Sequence, residues 1–133
     1  MGTFVVHPDG ATLVPVVIFL MDAPGKRPLL HDMARRLAGN GYYVMLPNLY
    51  YRTTSAFELD FLSKESFEHM VELMSNIGNR AVARDVGALL AQAHLDGAAD
   101  ETTVGCVGYC MSGPFALWAA AEHADVMRAA ASF

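Results

Sequence analysis

Apolar residues follow two rhythms along this chain. Thr3 to His7 and Tyr42 to Leu46 are short β-rich runs, and Pro15 to Asp22 (PVVIFLMD) and Thr102 to Tyr109 (TTVGCVGY) are longer ones. Each predicts a strand. Pro15 to Asp22 is apolar without alternation, the pattern of a strand covered on both faces in a parallel sheet. The turn residues Pro8-Asp9-Gly10, Ala23-Pro24-Gly25 and Pro47 end three of these runs. Between them the rhythm becomes helical. Leu30, Met33, Ala34 and Leu37 predict a helix over Pro28 to Ala38, with proline in the first turn and Gly39-Asn40-Gly41 stopping it. Phe67, Met70, Val71 and Met74 form a second stripe, capped by Ser63 or Ser66. Val82, Val86, Leu89, Leu90 and Ala93 form a third, ended by Asp96-Gly97. Ser112 to Glu122 is an alanine-rich helix, and Ala129 to Phe133 begins one more strand.

The element order is β, β, α, β, α, α, β, α and the start of β. Strands alternating with helices predict an α/β fold, a mostly parallel sheet with right-handed crossovers and flanking helices. At 133 residues the chain holds at most one domain and needs no metal or disulfide staple. Val104 to Tyr109 reads as a central strand, yet its next neighbour breaks off at Phe133. The expectation is therefore that residues 1–133 are the N-terminal part of a single α/β domain, cut after the helix that follows Tyr109. The unpaired edge would be a surface for homo-oligomerisation.

Charge and targeting narrow the classes. Nine Lys and Arg against fourteen Asp and Glu give a net charge of −5, which argues against a nucleic-acid partner. The longest apolar run, Leu13 to Met21, falls short of the roughly 20 residues a membrane span needs. It also follows Asp9 rather than a basic segment, so it is not an export signal, and the cytoplasm is the default location. The two cysteines, Cys106 and Cys110, would lie roughly 13 Å apart on a strand, beyond the ~7 Å a disulfide allows. Both are expected to be thiols, with Cys106 packed in the core.

The chemistry concentrates at Gly108-Tyr109-Cys110-Met111-Ser112-Gly113, between a strand and a helix. That is the setting of a nucleophile elbow. Small flanking residues permit a tight turn that lifts Cys110 clear of the sheet. The following helix turns its positive end toward the thiol, which favours thiolate. The Met111 N–H, next after the nucleophile, is placed to donate to an oxyanion. Gly105, Gly108 and Gly113 do not make a dinucleotide-binding fingerprint.

These residues resemble the dienelactone hydrolases, the cysteine-nucleophile branch of the α/β-hydrolases. The similarity runs through VVIFLMDAPG (16–25), RPLLHDMARRLAGNGYYVMLPNLYYR (27–52), RDVGALLAQ (84–92) and VGYCMSG (107–113). It spans nearly the whole chain and roughly the first half of the family's domain. The resemblance implies Cys110 as nucleophile and the Met111 and Ala23 N–H groups as oxyanion donors. It implies Asp22 in the place of a glutamate that controls thiol ionisation, one methylene shorter here. It implies a small-molecule ester or lactone substrate, no cofactor and no metal. Arg52, in the P-N-L-Y-Y-R loop, is the candidate substrate contact, its other reading being a structural loop salt bridge. Asp85 matches a family position expected to serve packing or hydrogen bonding. Two departures stand out. Ser112 replaces the usual glycine, and SKESFEHM (63–70) offers only Lys64 where the family has a carboxylate-binding arginine.

The family's order is nucleophile, Asp, His. After Cys110 this chain offers Asp125 and His123, and 13 helical residues put His123 roughly 20 Å away. A base must reach within about 3 Å, so His123 is not the partner. His31, beside the oxyanion loop, is the other histidine to weigh against a surface or capping role. The Asp and His of a triad are thus expected to be absent from residues 1–133. The alternative is a non-catalytic binding or interaction module with a relic elbow, its Tyr50–Met74 aromatic and Met residues lining a pocket or, by their spacing, a core.

Overall fold

The computed structural model describes residues 1–133. It contains β1 (Thr3–Val6), β2 (Val14–Leu20), α1 (Pro28–Ala38), β3 (Tyr43–Pro47), α2 (Lys64–Ser75), α3 (Asn79–Ala93), β4 (Ala99–Gly108), α4 (Gly113–Glu122) and β5 (Met127–Ser132). The strands form one sheet in the order β1-β3-β2-β4-β5. β2 pairs in parallel with β3 and β4, and β4 in parallel with β5, while β1 runs antiparallel to β3. The predicted elements are all present, and the sheet is mostly parallel.

β2 is the centre of this sheet, and its sequence shows why. Val16 and Ile18 to Met21 are fully buried, as a strand with neighbours on both sides and apolar residues on both faces requires. Leu20 ends in register with Gly108, so the two segments that follow β2 and β4 emerge side by side at one sheet end. α1 starts at Pro28 and buries Leu30, Ala34 and Ala38 against the sheet. α4 packs on β4 and β5, with α3 alongside it.

Three expectations change. β5 forms six residues and pairs with β4 from Val104 to Gly108, so the sheet edge is β5 rather than β4. β4 is nevertheless not covered on both faces. Gly105, Val107 and Tyr109 line an open apolar trough of about 650 Å³ together with Val17, Ala129 and Ala131. The α2 stripe is also less buried than its periodicity implies. Leu73 is its only buried residue, while Phe67 and Val71 stand exposed. Periodicity reports an apolar face, and packing decides whether a partner covers it. The cap of α2 is Ser63, whose hydroxyl accepts the Ser66 N–H at 3.1 Å. No helix is long and apolar enough to cross a membrane.

His31 in α1 stacks on Phe4 of β1 at 4.4 Å, and its buried Nε2 has no hydrogen-bond partner. Burial, reinforced by the charges of Lys26 and Arg35 and opposed by Asp32, holds its pKa below the ordinary 6.5. The folded protein therefore prefers neutral His31, and the unfolded chain takes up the proton first. This contribution to stability is present above about pH 6.5 and is lost as pH falls from there through the lowered folded value. Urea melts at pH 7.0 and 5.0 should show a smaller acid loss in His31→Phe than in the unsubstituted protein. Equal losses would remove His31 from the account.

Candidate active site

The site forms where β2 and β4 end together. After Gly108 the chain makes a single tight turn, Cys110 to Ser112, and enters α4 at Gly113. Cys110 sits at φ +55°, a left-handed conformation that only Leu13 shares among the non-glycine residues. Such a backbone costs of order 1 kcal/mol or more and persists where surrounding bonds fix it. Those bonds are visible. The Cys110 N–H donates to Phe133 O at 2.7 Å, and the Phe133 N–H returns to Gly108 O at 3.0 Å, so β5 braces the turn. The Cys110 side chain is exposed.

Ser112, the departure from glycine, is fully buried, and its hydroxyl secures the turn. It accepts the Tyr109 N–H at 2.9 Å and lies 3.1 Å from Leu20 O and 3.0 Å from Tyr109 O. The end of β2 is thereby tied to the Cys110 turn. The turn's own hydrogen bonds run from Ser112 N–H to Tyr109 O and from Gly113 N–H to Cys110 O, leaving the Met111 N–H outside them. The Ala23 N–H, just past β2, also has no backbone acceptor. First N–H groups of a helical turn are donors awaiting a partner, and these two lie on the adjoining segments that end β2 and β4.

Asp22 is bonded to Arg27, Nη1 on Oδ1 and Nη2 on Oδ2 at 2.9 Å. This pairing raises the arginine's pKa. All side-chain hydrogen bonds of Asp22 go to Arg27, none to Cys110. Between the Ala23 and Met111 segments stands Tyr50, almost completely buried. Its hydroxyl donates to Ala23 O at 2.8 Å and lies 3.5 Å from Met111 Sδ. Burial first, then the charges of Asp22 and Cys110, push its phenol well above the ordinary value. From the sequence Tyr50 stands in the loop motif and at the start of the Tyr50–Met74 aromatic and Met residues expected to line a pocket or a core; it is buried, with its hydroxyl turned to Ala23. A single apolar-flanked tyrosine carries no signal that its hydroxyl turns inward.

The next two residues of that loop turn the other way. Arg52 binds Asp85 of α3 through Nη1 at 2.8 Å and Nη2 at 2.7 Å, and the Tyr51 hydroxyl donates to the same carboxylate at 2.9 Å. Of the two readings of Arg52, the structure shows the loop salt bridge, and Asp85 has the hydrogen-bonding role expected of it. Asp85→Ala leaves an exposed guanidinium and a partly buried phenol without the buried carboxylate they share. A loss of about 1–2 kcal/mol is expected, read as a lower urea midpoint at unchanged m-value. An unchanged midpoint would show that the trio is solvated at no cost. Lys64 is exposed and pairs with Glu68 at 3.3 Å.

The histidines stand elsewhere. His123 caps the end of α4 and meets Ala83 O at 2.8 Å, joining α4 to α3. His31 is on the β1 side, His7 stacks on Tyr43, His69 packs on Phe57, and His94 pairs with Glu101. None hydrogen-bonds Cys110. Cys106 is buried at 3% exposure, and desolvation pushes its thiol up to about 12. No group of three His, Cys, Asp or Glu has metal-ligand geometry.

A mostly parallel sheet whose central strands end in a strand–turn–helix carrying an exposed residue at positive φ defines the α/β-hydrolase fold class. The chain belongs to the dienelactone hydrolase family, whose model matches residues 1–133. It is 28% identical to a candidate carboxymethylenebutenolidase of Methylorubrum extorquens over 86% of this chain and 38% of that protein. It is 26% identical to the carboxymethylenebutenolidase of Rhodococcus opacus over 85% of this chain and 41% of that one. A candidate dienelactone hydrolase from Klebsiella pneumoniae shares the fold with a TM-score of 0.79 and 25% identity, over 96% of this chain and 51% of its own. The chain spans about half or less of the length of these relatives.

Proposed function

We propose that residues 1–133 carry the nucleophile and oxyanion hole of a cysteine-dependent hydrolase acting on small-molecule esters or lactones. The observation that carries this reading is Cys110 itself. It is exposed at φ +55° in a braced strand–turn–helix, beside a Met111 N–H that the turn leaves free. Family membership and the carboxymethylenebutenolidase names of its relatives support the ester or lactone as substrate.

In this reading Cys110 Sγ, as thiolate, attacks the carbonyl carbon. The new C–S bond pushes the carbonyl electron pair onto oxygen, and the Met111 and Ala23 N–H groups hold that oxyanion. Its collapse breaks the C–O bond, releases the alcohol portion as alkoxide and leaves a thioester on Cys110. Water then attacks the thioester and frees the acid. A poor leaving group needs a proton, and the attacking water must lose one. With all five histidines committed elsewhere, we place that base and its orienting carboxylate outside residues 1–133. Asp22 adds a charge compensated by Arg27; a bare carboxylate here would oppose the thiolate. With Arg52 held by Asp85 and Lys64 by Glu68, neither cation is assigned to an acidic substrate group.

p-Nitrophenyl acetate tests the reading, because its leaving group departs as an anion without a base. The expected result is a burst of one p-nitrophenolate per chain, slow turnover afterwards, and an acetyl group located on Cys110 by peptide mass mapping. A burst absent under native conditions would overturn the assignment.

A further inference from the structure

The two N–H groups assigned to the oxyanion lie on separate segments, and an oxyanion hole works only if their spacing is fixed before the reaction. Something must therefore hold the Ala23 segment against the Cys110 turn. One connection lies beneath the site, where the buried Ser112 hydroxyl reaches Leu20 O. It fixes the end of β2 but stops three residues short of Ala23. The other lies at the site itself. The Tyr50 hydroxyl has one proton, and its nearer and stronger acceptor is Ala23 O at 2.8 Å. The same oxygen rests 3.5 Å from Met111 Sδ.

We infer that Tyr50 is a positioning residue of the oxyanion hole: its hydroxyl holds the Ala23 segment against Met111 and so sets the separation of their N–H groups. This rests on the function proposed above.

The loop around Tyr50 is built to keep it there. Buried Asn48 accepts the Tyr50 N–H at 2.9 Å through Oδ1 and donates through Nδ2 to Thr54 O and Ser55 O, both at 3.1 Å. Phe57 packs edge-on against the Tyr50 ring at 5.7 Å. Tyr51 and Arg52 anchor the loop to α3 through Asp85. Tyr50 is thus wired from its backbone, its ring and its neighbours, while its one polar atom is given to the two segments that carry the donors. A buried tyrosine hydroxyl needs an acceptor in any case; here the acceptor it takes lies on the very segment that carries one of the two N–H donors. Burial raises the phenol pKa above its ordinary value, so the hydroxyl keeps its proton at neutral pH.

Acylation and alkylation of one thiol separate positioning from mere support. Acylation by p-nitrophenyl acetate passes through an oxyanion. Alkylation by iodoacetamide displaces iodide at a saturated carbon and forms none. Both act on Cys110, since Cys106 is buried. The measured quantity is the ratio of the two rate constants, referred to N-acetylcysteine. In the unsubstituted chain the ratio should exceed that of N-acetylcysteine. Tyr50→Phe should lower it about tenfold to a hundredfold, with alkylation changed less than about twofold. Met111→Leu keeps the N–H and the Tyr50–Ala23 bond but removes the sulfur that seats the hydroxyl. It should lower the ratio in the same direction by less, and it carries the test should Tyr50→Phe fail to fold. An unchanged ratio in Tyr50→Phe, with the unsubstituted chain above N-acetylcysteine, would overturn the role of Tyr50 and leave the oxyanion hole standing. An unsubstituted ratio no higher than that of N-acetylcysteine would remove the hole, and the role of Tyr50 with it.

Discussion

Cys110→Ala is expected to abolish the p-nitrophenolate burst, and Cys110→Ser to slow it by at least about a thousandfold. No neighbour can substitute. Cys106 lies four residues back, in the core, with its thiol pushed up to about 12. A serine hydroxyl at this position would need a base to remove its proton, and no histidine among residues 1–133 hydrogen-bonds residue 110. The same site should show the opposite effect on stability. Cys110 is held at φ +55°, where any side chain with a Cβ is strained and glycine is not. Cys110→Gly should therefore be inactive and yet more stable by about 1 kcal/mol, seen as a higher urea midpoint. A burst retained by Cys110→Ala would sink the nucleophile assignment, whatever the stability result.

Much of the architecture is readable from residue order. Pro28 and the Gly39-Asn40-Gly41 turn bracket α1, because proline pre-sets the helical φ and Gly41, at φ +91°, takes the chain out of it. The unbroken apolar run of β2 places it at the sheet centre, because only a strand flanked on both sides can bury both faces. The strand–turn–helix around Cys110 is legible because its residues are local, and turn geometry is set by neighbours in sequence. What sequence does not reveal is contact across the fold. Phe67 and Val71 of α2 have the spacing of a core stripe, but whether a partner covers them depends on elements far along the chain. Arg52 invites a substrate role until Asp85 is found 33 residues away, accepting both of its nitrogens. Tyr50 lies 27 residues from Ala23 and 61 from Met111. Ser112 reads as a small residue that merely tolerates a turn. Only in the fold does its hydroxyl prove to join Tyr109 to Leu20, 92 residues back.

That joining sets up the second large effect. Gly108→Ala should lower stability by about 3 kcal/mol and remove most of the burst. A Cβ at residue 108 would overlap the Ser112 carbonyl carbon and oxygen and crowd the Gly113 nitrogen. These are backbone atoms, so no side chain can swing aside. Either the turn opens or β4 shifts. Opening the turn breaks the Ser112 contacts to Tyr109 N–H and Leu20 O, and moves the Met111 N–H away from Ala23. Shifting β4 strains its ladder with β2, which ends at the Leu20–Gly108 pair. For a domain of this size the loss corresponds to a melting temperature lower by roughly 10 °C. The damage should be selective. Iodoacetamide still reaches an exposed thiol on a loosened turn, so alkylation of Cys110 should persist while acylation falls. Ser112→Ala, which removes the hydroxyl and adds no bulk, should fall between Gly108→Ala and the unsubstituted chain in both stability and acylation. A melting temperature within about 2 °C of the parent, with the burst intact, would show that the turn has room for a methyl group. The tight-turn account of how β4 presents Cys110 would then be wrong.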